Sequence, residues 1–61
     1  MNRHEIDKAI NEIFVRNGIK VGHGLDSFWD AVGELKSKNI DDYNAIIKLE
    51  KQWLDAVIYE N

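Results

Sequence analysis

Residues 18–24, GIKVGHG, decide the fold of this chain, because the sequence on both sides of them reads as helix. Three glycines in seven positions oppose a helix here, since each costs about 1 kcal/mol relative to Ala in a helix interior. Ile19 and Val21 have the alternation of a short extended piece, but a sheet needs a second strand and no other stretch alternates in this way. The seven residues therefore read as a glycine-rich connection, with Ile19 and Val21 turned towards the core or briefly extended. The expected fold class is all-α: a compact three-helix bundle, formed as one small domain over residues 1–61.

Working back from the connection, Ile6, Ala9, Ile10, Ile13 and Phe14 recur at helical spacing and predict a helix over 3–16. Asn2 is placed to cap it, Glu5 and Asp7 favour its positive end, and Asn17-Gly18 is a stop signal. Val15 lies off the stripe. Working forward, Leu25, Phe28, Trp29, Ala31, Val32 and Leu35 share an arc and predict a helix from Asp26 or Ser27 to Ser37 or Lys38. Ser27 is the expected cap, in a capping box with Asp30, and Asn39 the expected stop. Ile40 then precedes Asp41, the expected cap of a third helix over 41–59. The first connection is long and the second tight.

The third segment carries Tyr43, Ala45, Ile46, Ile47, Leu49, Trp53, Leu54, Ala56, Val57 and Ile58 over more than half its circumference. That is wider than the stripe of an ordinary surface helix. Glu50 lies inside this arc, and a buried carboxylate needs a proton or a partner. In a monomer Arg16 or Lys36 is the expected partner; the wide arc and small size tilt the expectation slightly towards a homodimer through the third helix, with Glu50 at the rim of the interface or paired with the other subunit.

Sixty-one residues make a marginal core, burying only about 60% of the extended-chain surface. With no cysteine, neither disulfides nor thiolate metal sites are available as staples. The start, MNRHEIDKAI, lacks the apolar stretch of a secretory signal, and no apolar run nears the roughly 20 residues of a membrane span. The expected location is the cytoplasm, away from membranes. The formal charge is −3, with four positive and three negative charges in residues 1–20 against two and five in 41–61. Nucleic-acid phosphates call for clustered Lys and Arg, and none is present.

Catalytic chemistry has little to stand on. There is no Cys, and Ser27 reads as a helix cap rather than a nucleophile. His4 and His23 are nineteen positions apart, without the spacing of a metal site, so no metal or other cofactor is expected. GHGLDS precedes a helix start but lacks the Lys and Ser/Thr of a phosphate-binding loop, and Asp26 would repel an anion. Segments two and three could form a DNA-reading helix-turn-helix, yet the second of them opens Asp41-Asp42-Tyr43-Asn44, which phosphates repel.

The remaining candidate is a surface. Asp26, Asp30, Gly33, Glu34 and Ser37 share one side of the second helix, with Trp29 at its border. His23, Asp26, Trp29 and Asp30 are the expected partner-binding residues, since aromatic edges and desolvated charges make binding hot spots. Within this stretch, GHGLDSFWDAV resembles the inhibitory segment of barstar-type ribonuclease inhibitors, through Gly22, Leu25, Asp26, Trp29, Asp30 and Ala31. The resemblance covers about eleven residues and implies that Asp26 and Asp30 face a basic site on a partner. The parallel sheet of that family is not expected here, and the third segment has no counterpart in it. The expected function is non-enzymatic: a small acidic helical protein that binds a partner of basic character through residues 22–30, as an inhibitor or adaptor. A DNA-associated regulator and a self-associating structural subunit are the alternatives.

Overall fold

Three helices follow one another: α1 (Arg3–Arg16), α2 (Leu25–Lys38) and α3 (Ile40–Glu60). The structure, a computed structural model, describes the backbone of residues 2–60 and the side chains of 2–58. The chain is an all-α three-helix bundle, with no strand among the described residues. None of these helices is long and apolar enough to cross a membrane.

Local signals set the ends of α1. The Asn2 side chain accepts from the Glu5 backbone N–H at 2.9 Å. At the other end Gly18 takes φ +70°, while Ile19 donates to the Phe14 carbonyl and Gly18 to that of Val15, both at 3.0 Å. This is the paired bonding of a Schellman ending. It returns Ile19, 4% exposed, into the core beside Ile13 and Phe14.

The start of α2 corrects the expected cap. Leu25 is already helical, so Ser27 falls inside the first turn, and no side chain caps the helix. Gly24, at φ +91°, holds the cap position instead. A glycine admits the positive φ at which the chain swings into the helix.

A second correction concerns the junction of α2 and α3, which consists of Asn39 alone. Its backbone N–H closes α2 on the Leu35 carbonyl at 2.8 Å. Its side-chain oxygen accepts from the Asp42 N–H at 3.1 Å, opening α3. Asn39, not Asp41, is therefore the cap, and Asp41 lies in the first turn with Asp42.

Asp42 ties this junction to the end of α1. Its carboxylate accepts from the Arg16 guanidinium through two nitrogens, from Asn17 Nδ2 at 2.7 Å and from Asn39 Nδ2 at 3.1 Å. The Arg16 hydrogen bonds, then that of Asn17, hold the Asp42 carboxyl below the usual carboxylate range. Asn17 also donates to the Ile13 carbonyl at 2.8 Å. Three chain segments thus meet in one polar clasp at one end of the bundle.

The ends of α1 and α2 both lie beside the start of α3. Residues 17–24 connect α1 to α2, and an extended stretch of that length reaches at most about 27 Å.

The core holds Ile13, Phe14, Ile19, Ala31, Val32, Leu35 and Ile46, with Leu35 and Ile46 fully enclosed. Phe28 meets Phe14 edge-on at 6.0 Å between centroids. α3 packs against both α1 and α2, whereas α1 and α2 touch each other little. The extents are 34 × 23 × 15 Å.

Candidate functional site

A half-open groove of about 330 Å³ lies between α1, α3 and the start of α2. α1 contributes Asp7, Ile10, Asn11 and Phe14 to it, one face over two turns. α3 contributes Glu50, Trp53 and Leu54. The connection adds Val21, and the start of α2 adds Leu25, Phe28 and Trp29. Phe28 and Trp29 meet edge-on at 5.3 Å, so the α2 wall is a continuous aromatic surface.

The groove explains where the wide apolar arc of α3 goes. Ile46 is core, and Tyr43, Ala45 and Leu49 pack against the core. Leu54 is 49% exposed on the groove, while Ile47 and Ile58 face solvent elsewhere. Glu50 is half-buried and lines the groove one turn before Trp53. Its expected partners are engaged elsewhere: Arg16 binds Asp42, and the Lys36 ammonium lies 5.5 Å from the Tyr43 ring centroid. Trp53 Nε1 is enclosed and donates to no acceptor.

Of the four residues expected from the sequence, Trp29 alone lines the groove, and it is 48% exposed. Asp26 and Asp30 are exposed on the first turns of α2, and His23 is exposed in the bend before them. They flank the α2 wall without entering it. Asp7, Asn11, Leu25, Trp53 and Leu54 escaped the sequence reading as site residues, although the misplaced Glu50 was a pointer to them. A carboxylate inside an apolar arc marks a face that is neither core nor open surface.

No group of three His, Cys, Asp or Glu among the described residues is placed to hold a metal ion. The polar groups of the groove are two carboxylates, one amide and the indole of Trp53 and Trp29; the rest of its lining is apolar. Such an arrangement can enclose apolar side chains and attract positive charge at the lip. No protein family, curated protein or solved structure matches this chain.

Proposed function

We propose that this chain is a non-catalytic binding module, which holds a protein partner against the groove and the adjoining acidic turns of α2 and so inhibits or adapts that partner. The observation that carries this reading is the groove with its exposed apolar lip. Leu25 is 75% exposed, Trp29 48% and Leu54 49%, all around one opening. Contiguous exposed apolar surface on so small a protein is the mark of an interaction site. Two tryptophans supply the anchor type that dominates binding energy, and Asp26 and Asp30 supply a polar rim.

Capture from host lysate tests the reading if three forms are compared: the native chain, Leu54→Glu, and Asp26→Ala with Asp30→Ala. All three should keep a helical circular dichroism spectrum, because the altered side chains are exposed. A protein retained by the native chain and lost from both variants is the expected result. Loss from Leu54→Glu alone would remove the acidic turns from the site. Retention by every form would overturn the reading.

A further inference from the structure

We infer that the occupant of the groove is a basic amphipathic helix of the partner, an inference that rests on the binding function proposed above. The helical form follows from the backbone. The groove walls are helices, whose peptide groups are already bonded within each helix. Apart from the short 19–22 connection, they offer an extended peptide nothing to pair with. An extended chain laid in this apolar groove would leave its own N–H and C=O groups unsatisfied, whereas a helix satisfies them internally. α1, α3 and the start of α2 line the groove, and a trough between helices accepts the ridge of another.

The charge of the occupant follows from the lip. Asp7 and Glu50 line the groove, and no Lys, Arg or His does. Asp26 and Asp30 stand on the adjoining turns of α2. No described residue holds any of these four carboxylates in an ion pair. A helix with an apolar ridge and flanking Lys or Arg complements this surface, and that complementarity selects against other helices. A second copy of this chain does not fit: a two-fold contact through the groove would set the acidic lip against itself.

Selection from a displayed library of random peptides of about sixteen residues, long enough to form a helix, tests the inference directly. The full chain is the bait, and Leu54→Glu is the counter-selection. Enriched peptides should carry apolar residues at i, i+3 or i+4 and i+7, with Lys or Arg beside them. The best of them should gain helical circular dichroism on binding. Asp7→Asn with Glu50→Gln should weaken it about tenfold, a change typical of removing close charge pairs. Enriched peptides that are acidic, uncharged or not amphipathic would overturn the inference, as would an absence of enrichment. A dimer in sedimentation equilibrium that Leu54→Glu dissolves would make the second copy the occupant. If lysate capture depends on Leu54 but no basic helix is selected, the inference falls and the binding function stands. If capture ignores Leu54, both fall.

Discussion

The Asp42 side chain joins the ends of α1 and α2 to the start of α3. Its carboxylate is 13% exposed and accepts from Arg16, Asn17 and Asn39, all of which offer N–H groups. An amide in its place would turn a donor towards donors. Asp42→Asn should therefore lower the melting temperature nearly as much as Asp42→Ala, which thermal unfolding by circular dichroism will read. The same bonds give the fold an acid limit. The folded-state pKa lies below the unfolded one, so this contribution is fully present above the unfolded value, about 3.9 for Asp. It fades as the pH falls through the folded value. The loss of stability below about pH 4 should be shallower in Asp42→Asn than in the native chain. Equal acid slopes would show that other carboxylates set the limit.

At the scale of the helix, two glycines make opposite predictions. Gly18 sits at φ +70° in the turn that ends α1, where a side chain is strained, so Gly18→Ala should cost about 1–2 kcal/mol. Gly33 lies inside α2 with helical backbone, and a Cβ there meets nothing within 4 Å. Gly33→Ala should stabilise by about 0.5–1 kcal/mol. Urea unfolding of both variants checks the pair, and the same sign of change for both would contradict the helix assignments. These elements also show what was legible in the sequence. Asn2 and Gly18 act within their own turn, so the limits of α1 could be read from neighbouring residues. The expected starts of α2, Asp26 or Ser27, and of α3, Asp41, fall one or two residues after the observed Leu25 and Ile40, because several candidate caps compete there. Ser27 and Asp41 have the right chemistry, but Gly24 and Asn39 hold the positions that the chain path requires.

For the whole molecule, the path of the chain creates the site. α3 packs against both α1 and α2, which touch each other little, and the groove opens beside the start of α2. The apolar excess of α3 and the anomalous Glu50 were visible in the sequence, and so was the acidic turn of α2. Their relation was not, because the groove is lined by all three helices and the connection between the first two. Asp7 and Asn11 read as ordinary exposed positions until α2 is placed opposite them. Sequence periodicity says which face of a helix is apolar; it does not say whether a neighbour covers it. Trp29 shows the point well, since the border of the α2 stripe became the lip of the groove. The central claim is that this lip binds. Amide and indole chemical-shift mapping of the isotope-labelled chain, alone and with its captured partner or selected peptide, tests it most directly. The account predicts shifts concentrated at Asp7, Asn11, Val21, Leu25, Trp29 and Leu54, with the clasp around Asp42 unmoved. Shifts centred on the outer face of α3, around Lys48 and Lys51, with the groove silent, would contradict it.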